Sequence, residues 1–166
     1  MTLTPQTFQF EDDGAIPNSP LPVLVYHGVP DATDAGGCRR SFAANGWLGA
    51  WQNGVYSFHH FHSIAHEVLG VVAGSARVML GGANGREFEI ARGDVLVLPA
   101  GTGHCNLADE GLLVVGAYPD GMDWDICRGD PAEHDDAVRR IRAVPLPSGD
   151  PVGGANGSLR SLWTAS

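Results

Sequence analysis

Residues 54–74, GVYSFHHFHSIAHEVLGVVAG, place four histidines and one glutamate directly ahead of an apolar, β-branched run. The first part of this stretch alternates, which predicts a strand over residues 55–62 with His60 and His62 on the same face. Two histidines two residues apart on one strand face can reach a single metal ion. Glu67 opens the apolar run, and a carboxylate there is costly to bury unless it is paired or coordinates an ion.

A second stretch, residues 93–104 with the sequence GDVLVLPAGTGH, delivers one more histidine. Its Pro/Gly-rich turn places His104 at the start of a strand. Three neutral imidazoles and one carboxylate suit borderline divalent ions, and they leave positions open for substrate or oxygen. We therefore predict a site for one divalent metal ion held by His60, His62, Glu67 and His104. Iron, nickel, manganese and zinc are all candidates for that ion.

Strand signals recur at short intervals from residue 54 to about residue 118, without helices between them. This spacing favours an all-β sandwich or small barrel over a parallel α/β sheet. Strands are predicted over residues 23–26, 55–62, 67–72, 76–80, 88–90, 95–98 and 112–118. Short flanking helices are predicted over about residues 41–51 and, after the capping Asp130, over 131–142.

The length of 166 residues fits a single domain. We predict one domain over residues 1–166, with its barrel core at about residues 54–118. The N-terminal strand and helix (1–53) and the C-terminal helix and tail (119–166) are expected to pack on this core. The residues expected to dock the tail are Leu159, Leu162 and Trp163.

The charge balance excludes some partners. Ten basic and nineteen acidic residues give a formal net charge of −9, which argues against nucleic acid and anionic membranes. No stretch approaches the roughly 18 apolar residues that span a bilayer. Three widely spaced cysteines, Cys38, Cys105 and Cys127, form neither a disulfide framework nor a metal knuckle. A reducing, cytoplasmic location is therefore expected, with Cys105 as a buried, inert thiol.

The two histidine-bearing stretches resemble the two motifs of the cupin superfamily. The positions that match the motifs are Gly54, His60, His62, Glu67 and Gly74 for the first, and Gly93, Pro99, Gly101 and His104 for the second. The resemblance implies a double-stranded β-helix, the cupin or jelly-roll barrel, with the metal ligands named above. One departure is Ala108, where the second motif often ends in an asparagine that is not a metal ligand. This departure puts substrate contacts in doubt but leaves coordination untouched.

The sequence leaves the function open between two main classes. The chain also looks like a bacterial monocupin family without an assigned reaction. A metal-dependent enzyme on a small organic substrate is favoured, with a dioxygenase preferred over an isomerase or a decarboxylase. The alternative is a non-catalytic barrel that binds a small sugar or carboxylate. A purely structural barrel fits least, because structural zinc sites prefer closed Cys/His shells. No catalytic residue beyond the ligands can be named.

Several further residues carry expectations of their own. Tyr56, Phe58, Leu69 and Asn106 are expected to line the pocket. His59 should point away from the ion, and His66 either orients a ligand or, as we prefer, lies on the surface. Residues 123–125, Asp-Trp-Asp, form either a lid or, as we prefer, an ordinary polar turn. A homodimer is predicted by analogy with monocupins, since the sheet edges of small barrels need cover.

Overall fold

The structure, a computed structural model, describes residues 3–164 and consists mainly of antiparallel strands. Its strands are β1 (Gln6–Phe8), β2 (Val23–Tyr26), β3 (Trp47–Asn53), β4 (Glu67–Leu80), β5 (Arg86–Ala91), β6 (Val95–Leu98) and β7 (His104–Pro119). Its helices are α1 (Ala35–Ala44), α2 (His134–Ala143) and α3 (Leu159–Leu162), with 3-10 turns at Pro30–Thr33 and Pro131–Glu133. The helix predicted over residues 131–142 is present as the second of these turns and α2. Within residues 3–164, every helix is too short or too polar to cross a membrane.

All strand pairs are antiparallel, in the order β1-β2-β6-β4-β7-β3, with β5 paired to β4. The long strands β4 and β7 pair along most of their length, and their register shifts around Gly74. Gly74 has a φ of +69°, and a Cβ there would collide with the backbone of Glu110 and Gly111. Such register shifts bend strands and allow a sheet to curl. The architecture confirms the predicted all-β jelly roll, a double-stranded β-helix with a few short helices.

Side-chain alternation along the strands divides the apolar core into two clusters. Val68 packs in one cluster with Phe42 of α1, whereas Leu69 and Val71 pack in the other. Because successive side chains of a strand point to opposite faces, Glu67 falls on the same face of β4 as Leu69 and Val71. The strand therefore turns this carboxylate into the protein, toward the candidate site.

The N-terminal helix lies earlier in the chain than its prediction. The helix predicted over residues 41–51 is wrong, since α1 ends at Ala44 and β3 follows. The Asp34 carboxylate caps the start of α1 by accepting a hydrogen bond from the Gly37 amide (2.7 Å). Gly46, with a φ of +82°, turns the chain out of the helix and into the strand.

Residues 55–62 are irregular, which corrects the strand predicted there, whereas the two strands predicted over 67–72 and 76–80 are one strand, β4. His60 pairs with His104 of β7 in an isolated bridge. The amide of Asn106, two residues further along β7, donates instead to the carbonyl of Tyr56, four residues before His60 (2.9 Å). The intervening residues bulge, so no continuous ladder forms.

The C-terminal tail folds back beside β2. Leu159 and Trp163 are each only 1% exposed, and the indole nitrogen of Trp163 donates to the carbonyl of Pro22 (2.8 Å). The buried Asp150 carboxylate accepts hydrogen bonds from the Tyr26 hydroxyl and from the Leu159 amide (3.1 Å). Since buried carboxylates need such partners, these bonds stabilise the position of the tail.

His66 is buried, which corrects the preference for a surface histidine. Its Nδ1 accepts a hydrogen bond from the Ala100 amide (2.9 Å), and its Nε2 donates to the carbonyl of Pro145 (3.2 Å). Its ring packs against Trp163, with 4.9 Å between centroids. The residue thus joins the turn before His104 to the C-terminal segment. Burial lowers the pKa of His66 to about 4, although the bond to Pro145 opposes this effect.

We expect His66→Gln to weaken the pH dependence of folding stability. The pKa is about 4 in the folded protein, against an ordinary value of 6.5, so the unfolded chain binds the extra proton between these values. Stability from a neutral buried His66 is full above about pH 6.5 and falls by about 2 kcal/mol toward about pH 4.5. Glutamine can accept from Ala100 and donate to Pro145 without titrating.

Urea unfolding of both metal-free proteins at several pH values measures this difference. Comparison with the wild type cancels the contributions of the other titrating groups. Parallel curves of unfolding free energy against pH for the two proteins would contradict the role assigned to His66.

Candidate metal centre

Three of the four predicted metal ligands meet inside the protein. One ring nitrogen of each of His60, His62 and His104 lies within 4.8 Å of the others, and all three residues are buried. Two backbone hydrogen bonds between His60 and His104 (3.1 and 2.9 Å) join the irregular segment 55–62 to the start of β7. The ring centroids of these two histidines are 4.0 Å apart. Three buried histidines at this spacing can hold a metal ion.

A backbone carbonyl holds the Nδ1 atom of each histidine. For His60 and His104 it is the carbonyl two residues earlier, at 3.0 Å in both cases; for His62 it is the carbonyl of Asp125. A carbonyl oxygen only accepts hydrogen bonds, so Nδ1 carries the proton in all three rings. The lone pair of each neutral imidazole is therefore on Nε2, the atom available for a metal.

Glu67 lies beside these imidazoles. Its Oε1 atom is 3.2 Å from Nε2 of His62 and 3.5 Å from Nε2 of His104, and the side chain is almost fully buried. A carboxylate oxygen and an unprotonated Nε2 are both electron-pair donors, so they repel at this distance unless a proton or a cation lies between them. The arrangement thus favours a bound positive charge.

The pKa shifts around the site have the same origin. Burial and, to a smaller extent, the neighbouring His104 lower the pKa of His60 to about 3. Burial also acts to lower the pKa of His62, but the charge and hydrogen bond of Glu67 outweigh it, so the pKa of His62 is raised. Burial acts to raise the pKa of Glu67, yet the facing His62 and His104 hold it well below its usual range. The carboxylate is therefore ionised, and without a bound cation it pairs with a proton on the facing His62.

A cavity of about 340 Å³ opens onto these residues. Its wall consists of Trp51, Gln52, Asn53, Gly54, Val55, Tyr56, His60, His62, Glu67, Leu69, His104, Tyr118, Trp124 and Ile126. Of the residues predicted to line a pocket, Tyr56 and Leu69 belong to this wall. Phe58 lies outside it, between the stacked Tyr56 ring and Arg128. Asn106 also lies outside, with its side-chain amide bound to Asp109 (2.6 Å).

Two aromatic residues of the wall are hydrogen-bonded to each other. The indole nitrogen of Trp51 donates to the Tyr118 hydroxyl (2.8 Å). Burial raises the pKa of Tyr118, and the charge and hydrogen bond of Glu67 raise it further. The tyrosine is therefore a neutral hydroxyl in the wall, which Glu67 also lines.

Comparison with known proteins gives the family. A cupin family model matches residues 49–120. The Bacillus subtilis protein YjlB, itself described as uncharacterized, is 38% identical over 160 residues, which cover 95% of this chain and 96% of that protein. The chain belongs to the cupin family. The two sequence motifs that resemble those of cupins contain the three histidines that meet at the site and Glu67 beside them.

Solved structures similar to this cupin share much less of its sequence. A DUF861 family protein from Thermotoga maritima is 18% identical, with a TM-score of 0.36, covering 58% of this chain and 96% of that one. Acireductone dioxygenase from Bacillus anthracis, solved with cadmium in its active center, is 17% identical, with a TM-score of 0.39. That match covers 52% of this chain and 59% of the dioxygenase. At this level the likeness is one of fold alone.

Residues 123–125 of this cupin are irregular and do not form the ordinary polar turn that we preferred. Besides the carbonyl that holds His62, Asp125 has a carboxylate that accepts hydrogen bonds from the Ser63 amide (2.6 Å) and hydroxyl. Arg140 of α2 in turn donates to the Ser63 hydroxyl (2.8 Å). Asp125 thus joins His62 and α2, which lie far apart in the chain. The acidic residues around Trp124 were the only sequence signal for this network.

The remaining cysteine and histidine candidates lie apart from the three-histidine group. His59 is half-buried, and its Nδ1 has no hydrogen-bond partner within residues 3–164. Cys105 is buried, and burial raises the pKa of its thiol. Cys127 is half-buried, pairs with Phe61 in an isolated bridge, and donates from its thiol to Asp125 (3.3 Å). The contacts of Cys127 suit a structural role.

We expect Asp125→Ala to weaken zinc binding by roughly 10–100-fold, because the segment that orients His62 loses its attachment to Ser63. Asp123→Ala, which changes an exposed residue two positions earlier, is the matched control and should bind zinc as the wild type does. Competition with a chromophoric chelator measures both affinities. Equal losses in the two variants, or none in either, would contradict a positioning role for Asp125.

Proposed function

We propose that this cupin is a metal-dependent enzyme for a small organic substrate, with a dioxygenase as the favoured reaction. In this proposal one divalent ion is held by His60, His62, Glu67 and His104. The observation that carries it is the group of three buried histidines with ring nitrogens within 4.8 Å of one another, with the Glu67 carboxylate beside two of them. Neutral imidazoles with one carboxylate are a donor set that such ions prefer.

The location of this donor set inside a cavity supports catalysis rather than a structural role. Four protein ligands leave two coordination positions open on an octahedral ion. The cavity wall reaches the ligands His60, His62, Glu67 and His104 themselves, so a small molecule can approach these positions. Structural metal sites, in contrast, are closed.

The chain's own residues would orient the ligands and keep water away. The backbone carbonyls hold the imidazoles in place, and Leu69 and Trp124 supply apolar surface next to them. A bound ion would supply Lewis acidity and, if it is iron or another redox-active metal, a place for oxygen to react. A preorganised, partly dry site strengthens such interactions.

The dioxygenase preference rests on the small number of acid–base groups in the wall. Apart from the four proposed ligands, Tyr56 and Tyr118 are its only titratable residues among those described. An isomerase or decarboxylase generally needs a protein group to move a proton. Insertion of both oxygen atoms of O₂ into a substrate can rely mainly on the ion, so this wall suits it better.

The predicted homodimer stays a prediction. β1 and β3 are at the two ends of the strand order, so each presents an edge that a second copy can cover. The β1 edge contains no residue of the cavity wall, whereas β3 contributes Trp51, Gln52 and Asn53 to it.

Nitric oxide tests the open positions without knowledge of the substrate. We expect the ferrous wild-type protein to bind it and give the electron paramagnetic resonance signal of an iron–nitrosyl centre. His104→Ala should lose this signal and bind iron more than about 100-fold less tightly, since even changes outside the ligand set cost 10–100-fold. His27→Ala removes an exposed histidine as the matched control and should behave as the wild type does.

A wild-type protein that binds iron tightly but forms no nitrosyl centre would contradict the enzyme proposal and leave a metal-organised binding barrel. Retention of the signal in His104→Ala would show that iron binds elsewhere. Oxygen-electrode assays with the ferrous protein then test candidate substrates for consumption of O₂.

A further inference from the structure

The mouth of the cavity concentrates the exposed apolar surface of the protein. Six large apolar side chains are exposed among the described residues, and three of them belong to this one wall: Tyr56 (51%), Trp124 (47%) and Ile126 (39%). Single exposed apolar residues are common, but a group around one cavity indicates a surface that meets an apolar ligand.

Two rings of this group stand beside proposed metal ligands: Tyr56 beside His60 (5.3 Å between centroids) and Trp124 beside His62. The centroid of Trp124 is 5.8 Å from that of His62, and its ring lies nearly parallel to Tyr118, with 6.0 Å between centroids and 15° between planes. The residue that follows Trp124 is held in place, since Asp125 is bonded to Ser63 and His62. A ligand bound at the ion can therefore lie against the aromatic face of Trp124.

The charges of the wall restrict the group that binds the ion. Among the described lining residues there is no lysine or arginine, and Glu67 is the one carboxylate. The nearby Arg128 lies over the Phe58 ring (3.9 Å to the centroid), outside the wall. A divalent ion with Glu67 carries one net positive charge, which a chelating group with a single negative charge would neutralise. Further charges on the ligand would have no partner in the wall.

We propose that the substrate carries a flat, apolar ring next to an oxygen-chelating group of one negative charge, and that Trp124 selects it by stacking against the ring. The proposal rests on the function proposed above, which supplies the ion. The cavity, at about 340 Å³, is near the lower end of small-molecule sites and suits a ligand with a single ring. Aromatic stacking adds to the free energy that burial of apolar area provides.

Hydroxamic acids test this proposal because one chelating group can carry different bodies. Acetohydroxamate has a methyl body, benzohydroxamate a flat ring, and cyclohexanecarbohydroxamate a ring of similar size that is not flat. All three chelate through the same two oxygens with the same charge. Their affinities for the zinc-loaded protein are measured by isothermal titration calorimetry for the wild type, Trp124→Ala and Trp124→Phe.

We expect benzohydroxamate to bind the wild type at least about tenfold more tightly than acetohydroxamate does, with the cyclohexane compound between them. Trp124→Ala should remove most of this preference and change acetohydroxamate affinity less than about twofold. Trp124→Phe keeps an aromatic face and should keep most of the preference. Thermal unfolding and zinc content establish that each variant is folded and loaded.

Equal affinities of the wild type for the methyl and phenyl compounds would overturn the proposed ring specificity while leaving the metal centre intact. A parallel loss for both compounds in Trp124→Ala would overturn it too, because Trp124 would then act through its contact with His62. Failure of acetohydroxamate to bind the zinc-loaded wild type is a different result. It would overturn the open coordination positions, and with them the proposed function.

Discussion

The interaction on which the site depends is the buried contact between the Glu67 carboxylate and the Nε2 atoms of His62 and His104. Three backbone carbonyls accept hydrogen bonds from the Nδ1–H groups of the site histidines. The Nε2 atoms that face the carboxylate therefore carry lone pairs. Such a group is stable only with a positive charge among its members, either a proton or a metal ion. A proton neutralises one contact, whereas a divalent ion can satisfy all four donors together.

The rest of the chain keeps these donors in place. Alternation along β4 turns Glu67 inward with Leu69, and the bridge between His60 and His104 joins the two motif segments. The C-terminal region contributes as well, since Asp125 and Arg140 fix the surroundings of His62 through Ser63. Because the supports come from distant parts of the chain, the site geometry depends on the complete fold, and the barrel strands alone do not determine it.

The sequence predicted the jelly roll and the meeting of the site histidines because motif spacing and side-chain alternation are local patterns. It predicted a strand over residues 55–62 for the same reason, although the backbone there bulges against β7. The first helix was misplaced because the spacing of Trp47 and Trp51 fits a helix face, while Gly46 turns the chain into a strand between α1 and these residues. The roles of His66 and Asp125 were missed because their partners are 34 to 79 residues away in the chain.

A crystal structure with diffraction data collected on both sides of the absorption edge of the bound metal tests the central claim most directly. The account predicts one anomalous peak per chain, at about 2.0–2.2 Å from Nε2 of His60, His62 and His104 and from one oxygen of Glu67. A metal bound by other residues would contradict the account. So would a fully loaded site in which Glu67 turns away from the ion, because the buried carboxylate would then have another purpose.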